Sequence, residues 1–209
     1  MVAKERIPVI GITGGAGSGK SHVAGLLTEN YKVCHINTDR VSQMQMMKGG
    51  CVYQKVLDCF GTEFLGDDGE INRKRLGEYI FNHPDELALL NSITHPPVRA
   101  EVERLMQEAG ENGYDVVLLE SALLIEAGYK GICDEVWYVY ATRKTRKKRL
   151  LETRGYSEER IRDMFRRQNT DKFFREHADF VIQNDNCNDE TILSSLRRRL
   201  LFVMKRKNG

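Results

Sequence analysis

The chain has 209 residues, of which 41% are hydrophobic and 30% charged, and 32 basic against 30 acidic residues leave a net charge of +2. That allows one ordinary domain with inserted segments, and the balance does not suggest a general polyanion binder, so no nucleic-acid partner is expected. No run approaches the roughly 18 apolar residues of a membrane helix, no signal peptide is read, and cysteines 34, 51, 59, 133 and 187 form no C-x-x-C pair; a cytoplasmic protein with free thiols and no membrane partner is expected.

The first predicted element is a buried parallel strand, Ile7 to Ile12. It runs into Gly14-Gly-Ala-Gly-Ser-Gly-Lys-Ser21, which fits G-x-x-x-x-G-K-[ST] at every fixed position. A helix follows, with Val23, Leu26 and Leu27 at helical spacing. Strand, loop and helix together are the setting this motif requires. Glycines let the backbone wrap a phosphate and aim its N–H groups inward, and the helix start adds the positive end of its dipole. The expected ATP-binding set is Gly15, Ala16, Gly17, Ser18, Gly19, Lys20 and Ser21. Lys20 is expected to reach the β- and γ-phosphates and the Ser21 hydroxyl to ligate Mg²⁺. A plain glycine-rich turn with a surface lysine is the alternative, and the joint spacing weighs against it.

Lys32 to Ile36 reads as a second strand, ending in Asn37-Thr-Asp39-Arg40. Ligands of open α/β sheets bind beyond the carboxyl ends of strands, which makes Asp39 a candidate site residue. The competing reading is a helix N-cap, since Val41 onward fits a helix. Residues 41–110 carry helical patterns at 53–60, 73–81, 84–93 and 97–109, with turns at Gly66-Asp-Asp-Gly69 and Asn82-His-Pro84. His95-Pro96-Pro97 is predicted to interrupt them. The block reads as a strand-free helical excursion of the kind that holds a second substrate. Taken alone, His95 reads as a structural hydrogen-bonder.

A third strand, Asp115 to Glu120, ends in an acid that behind a phosphate loop orients Mg²⁺ or its water. Asp134 to Tyr140 is a fourth, with Trp137 and Tyr138 packing between sheet and helices. Residues 143–149 hold six basic residues in seven. They read as a solvated helix face, a nucleic-acid contact or a lid over ATP; with an ATP site present the lid leads, and Arg149 and Arg154 are its phosphate-facing candidates. Ser157 is a predicted N-cap for a helix to about Gln168. Ala178 to Ile182 is a fifth strand, followed by Gln183-Asn184. The last helix, Glu190 to Lys205, buries Ile192, Leu193, Leu196, Leu200 and Leu201. Helices between five strands predict an α/β fold, a doubly wound five-stranded parallel sheet of the P-loop kinase type. The core is expected at about 1–40, 111–142 and 176–209, a helical acceptor-binding insert at 41–110, and a basic lid at 143–175.

No N-K-x-D or L-S-G-G-Q stretch occurs, which disfavours GTPases and transporter ATPases. Over nearly its whole length the chain resembles the dephospho-coenzyme A kinase family. The resemblance rests on Gly11 to Ser21, Asn37-Thr-Asp39, Gly69-Glu-Ile-Asn-Arg73-Lys-Arg-Leu76, Thr94-His-Pro96, Leu123-Leu-Ile-Glu126, Arg149-Leu-Leu-Glu-Thr-Arg154, Gln168, and Ala178 to Asn184. It implies transfer of the ATP γ-phosphoryl group to the ribose 3′-hydroxyl of dephospho-CoA, with Mg²⁺. It further implies Asp39 as the acid that contacts and deprotonates that hydroxyl, Arg149 as a lid arginine near the phosphates, and Arg73, His95 and Glu120 as acceptor-side positions. Asn184 and Gln168 match positions near the nucleotide, and Glu120 also matches a metal-side acid acting through water. Three positions depart from the family: Asn37 stands for a usual Asp, Glu120-Ser-Ala122 for a usual Asp-x-Pro, and His22 for a usual Thr. Another small-molecule or nucleoside kinase on the same fold, and a nucleic-acid-linked NTPase, remain as alternatives.

Overall fold

The computed structural model describes residues 6–81, 83–185 and 187–207; Met1 to Glu5 and Asn82, the latter part of the predicted Asn82-His-Pro84 turn, lie outside the described residues. The chain forms two compact units, residues 1–36 with 108–209, and residues 37–107.

The first unit is built on five strands: β1 (Val9–Thr13), β2 (Val33–Asn37, whose last residue opens the second unit), β3 (Val116–Glu120), β4 (Glu135–Tyr140) and β5 (Phe180–Gln183). Their order is β2-β3-β1-β4-β5, and the β1–β3, β1–β4 and β4–β5 ladders are parallel. The doubly wound sheet expected from the strand pattern is therefore present, with β1 central. Ile12 is in register with both Glu120 and Trp137, so the three carboxyl ends share one rim.

Alternation along the strands sends Ile10, Ile12, Val116, Leu118, Trp137 and Val139 into one buried cluster. Helix α1 (Lys20–Asn30) covers it with Val23, Ala24, Leu26 and Leu27, and the C-terminal helix with Ile192, Leu196, Leu200 and Val203. Leu201, expected in that stripe, is 44% exposed. It lies about 100° around the helix from Leu200, and Val203 fills the place instead. Ser157 caps a helix at Glu158–Arg167, its Oγ accepting from the Arg160 N–H at 3.2 Å. A short helix at Asp171–His177, absent from the sequence expectations, follows its own Thr170 cap. Among the described residues no helix is long and apolar enough to cross a membrane.

The second unit is helical. It holds α2 (Thr38–Gln45), α3 (Tyr53–Phe60), α4 (Arg73–Phe81) and α5 (Pro84–Glu111), whose last turn passes into the first unit. Val52, Val56, Phe60, Phe64, Ile71 and Leu76 form its core. An isolated antiparallel bridge, Leu65 with Ile71, closes the Gly66–Gly69 turn. The predicted break at His95-Pro96-Pro97 does not occur. Two prolines remove the N–H groups that would serve the Ser92 and Ile93 carbonyls, yet α5 continues through them. Thr94, Val98 and Val102, each a helical turn apart, are buried on either side, and that stripe holds the helix across the prolines.

A buried charge is held at the start of the interior strand β4. The Glu135 side chain is 4% exposed. It accepts from Arg199 Nε and Nη2 at 2.8 and 2.7 Å, and from the Trp137 indole N–H at 2.8 Å. Arg199→Leu strands this carboxylate in an apolar setting. We expect urea unfolding to report a loss of about 3 kcal/mol with an unchanged m-value.

Candidate active site

The loop between β1 and α1 carries the site in the first unit. Gly17 and Gly19 have φ of 77° and 92°, left-handed values that favour glycine. No side chain caps α1, whose first N–H groups are thereby kept for an anion. Lys20 Nζ donates to the Gly14 carbonyl at 2.9 Å, which holds the ammonium along the loop.

The loop carbonyls are pinned from outside. Helix α6 (Arg143–Arg154) brings Arg146 and Arg149 to it. Arg146 Nε donates to the Ala16 carbonyl at 2.8 Å. Its guanidinium also bonds Gln168 Oε1 and lies 4.5 Å from the centre of the Phe165 ring. Burial lowers the Arg146 pKa, with Tyr138 working the other way. Arg149 Nη1 donates to the Ser18 carbonyl at 3.2 Å and its Nη2 to the Asn184 carbonyl at 2.9 Å. The Asn184 amide, buried beyond β5, donates to the Ser18 carbonyl at 2.7 Å. The Ser18 N–H closes the turn onto the Gly15 carbonyl at 3.1 Å; with the Ala16 and Ser18 carbonyls pinned, the remaining loop N–H groups are left for a phosphate. A Cβ on Gly15 would run into the Arg146 guanidinium, and one on Gly19 into the Asn184 amide. The Thr13 and Ser18 hydroxyls are buried beneath the loop with no hydrogen-bond partner.

Beside the loop lies an oxygen pair. Ser21 Oγ donates to Glu120 Oε1 at 2.7 Å. The second carboxylate oxygen, Oε2, lies 2.8 Å from His35 Nε2. Since a carboxylate only accepts, the His35 proton is assigned to Nε2. Burial pushes the Glu120 pKa up, but the hydrogen bonds from His35 and Ser21 and the nearby Lys20 charge outweigh it, so the net shift is downward. A hydroxyl beside a carboxylate is hard-oxygen chemistry. Among the described residues no group of three or more His, Cys, Asp or Glu could cage a metal. One hydroxyl and one carboxylate oxygen, 2.7 Å apart, suit Mg²⁺, which keeps waters and takes phosphate oxygens beside few protein ligands.

The structure brings together Gly15 to Ser21, Glu120, Arg149, Asn184 and Gln168. It does not bring Arg154 to the loop. That residue ends α6, exposed, and Arg146 joins Arg149 instead because three residues apart share a helix face while five do not. In the second unit Asp39 sits exposed in the first turn of α2. It is not the helix cap: Asn37 is, its Oδ1 accepting from the Arg40 N–H at 3.0 Å. Arg73 opens α4 and His95 lies within α5, both exposed. Sequence reasoning missed Arg146 and His35. Arg146 was legible as the residue one helical turn before Arg149; His35, on β2, had no local signal.

The family model described as dephospho-CoA kinase matches residues 8–190. A dephospho-CoA kinase of Carboxydothermus hydrogenoformans is 35% identical over 96% of this chain and 94% of its own. That of Dehalococcoides mccartyi is 36% identical over 90% of this chain and 94% of its own. A crystal structure from Thermus thermophilus, 28% identical, superposes with a TM-score of 0.80 over 94% of this chain and 97% of that one.

Gly15→Ala sets a methyl group against the Arg146 guanidinium. We expect about a tenfold loss of ADP affinity by calorimetry, equal to about 1.4 kcal/mol. The Gly15→Ala/Arg146→Ala double variant is expected to lose less than the two single losses added, because the clash is shared.

Proposed function

The chain belongs to the dephospho-CoA kinase family, a family of ATP-dependent kinases, and from that we propose that it transfers the ATP γ-phosphoryl group to the ribose 3′-hydroxyl of dephospho-CoA, giving coenzyme A and ADP. The observation that carries this reading is the Ser21–Glu120 hydrogen bond of 2.7 Å beside a complete phosphate loop. It is the arrangement a kinase needs to hold a metal–polyphosphate.

The loop N–H groups, other than that of Ser18, which closes the turn onto the Gly15 carbonyl at 3.1 Å, bind the β-phosphate, and Lys20 turns its ammonium from the Gly14 carbonyl to the β- and γ-oxygens. Ser21 Oγ and, through water, Glu120 would hold Mg²⁺, which would supply neutralisation of the phosphate charge. Arg149 holds the loop and Asn184 in register, and it is the phosphate-side arginine of the lid formed by residues 143–175. Closure keeps water from competing as the acceptor. Asp39 hydrogen-bonds the acceptor hydroxyl and aligns it. A carboxylate is a far weaker base than an alkoxide, so Asp39 takes the proton late, once the new P–O bond has formed. Arg73 and His95 bind the acceptor. Phosphoryl transfer asks for positioning and charge more than covalent help, and these residue types supply both. A reaction on soluble nucleotides suits a cytoplasmic protein.

The test is ADP release from Mg-ATP with dephospho-CoA, AMP, adenosine, shikimate or water alone. Release with dephospho-CoA only, and a product with the mass of coenzyme A, is the expected result; release with another acceptor overturns the substrate assignment. Asp39→Asn is expected to cut turnover about a hundredfold or more while ATP affinity holds. Near-normal turnover in that variant removes Asp39 from its role.

A further inference from the structure

Glu120 needs more than its strand to be useful. Its side chain is only 5% exposed at the end of β3, and each carboxylate oxygen buried there needs a donor. Ser21 serves Oε1. The other donor is His35, which projects from the neighbouring strand β2 with 27% of its side chain exposed and meets Oε2 at 2.8 Å. Without it, Oε2 would be a buried anionic oxygen with one partner fewer, free to turn about the last side-chain bond or to compete with Oε1 for the serine proton.

The direction of the Ser21 bond matters. A hydroxyl that donates its proton to Glu120 Oε1 keeps both oxygen lone pairs for a cation. A hydroxyl left to rotate does not present them reliably. We propose that His35 is a positioning residue of the cation site. By holding Oε2, it orients the Glu120 carboxylate so that Oε1 keeps the Ser21 lone pairs turned toward Mg²⁺. The logic is that of outer partners of metal ligands, whose loss lowers metal affinity about 10- to 100-fold. His35 has this role within the phosphotransfer reading above, but its effect is on cation binding and is readable without any acceptor.

ADP affinity is therefore to be measured by calorimetry in EDTA and in saturating Mg²⁺, and the ratio taken as the cation's contribution. His35→Val removes the donor. His35→Asn keeps an amide too short to reach Oε2. His35→Gln carries an N–H at about the reach of Nε2. We expect the Mg²⁺ enhancement to fall about tenfold in His35→Val and His35→Asn and to stay within about twofold of wild type in His35→Gln. ADP affinity in EDTA should be the same in all four proteins. The half-saturating Mg²⁺ concentration for turnover should rise in the first two variants while the KM for the acceptor stays put. A wild-type enhancement in His35→Val overturns the assignment, as does an equal loss in His35→Gln and His35→Asn. No Mg²⁺ enhancement in the wild type overturns it too. If His35→Val loses ADP binding in EDTA, the Gln and Asn variants decide the matter between them. If dephospho-CoA proves not to be the acceptor, the ADP measurements still stand or fall alone.

Discussion

A loop with four glycines in six residues cannot hold its own shape, and it is held here by two guanidinium groups and one amide. Arg146 takes the Ala16 carbonyl, while Arg149 and Asn184 converge on that of Ser18. Turning those carbonyls away is what leaves the N–H groups to gather on the other side. The conformational freedom that lets glycine adopt the φ values at Gly17 and Gly19 would otherwise be spent on disorder. The basic run at 143–149 therefore acts, in part, as the outer wall of the phosphate loop. Two of its members face inward at helical spacing, and Lys147 and Lys148 face outward into exposed ion pairs.

The same economy operates at Glu120. Three strands end on the rim that carries it: β1 leads into the loop, β3 brings the acid, and β2 brings His35. Each carboxylate oxygen meets a donor from a different element. A glutamate reaches one methylene further than an aspartate would from the same strand position. In this chain the extra reach ends between Ser21 and His35 rather than in solvent.

The second unit reads differently. Asp39 follows β2 by two residues, in the first turn of a helix whose cap is Asn37. An amide at position 37 thus serves the helix terminus and fixes the turn that carries Asp39. Continuity of α5 through Pro96 and Pro97 belongs with this. Local propensity argues for a break, but the buried stripe of Thr94, Val98 and Val102 outweighs two missing hydrogen bonds.

What the sequence determined by itself was whatever depends on neighbours along the chain. The phosphate loop, the five strands, the Ser157 cap and the acid at the end of β3 are each set by a few consecutive residues, by period-two burial or by turn chemistry, so their spelling suffices. Family resemblance is the source of the roles proposed for Asp39, Arg73 and His95, which isolated residues do not suggest. Tertiary structure alone decided that Leu201 is exposed, that α5 does not break, and that His35 meets Glu120 across 85 positions of sequence. Those outcomes come from packing between elements distant in the chain. A single strand carries no sign of the donor on the strand beside it, because a hydrogen bond depends on atoms meeting in space and not on their order in the chain.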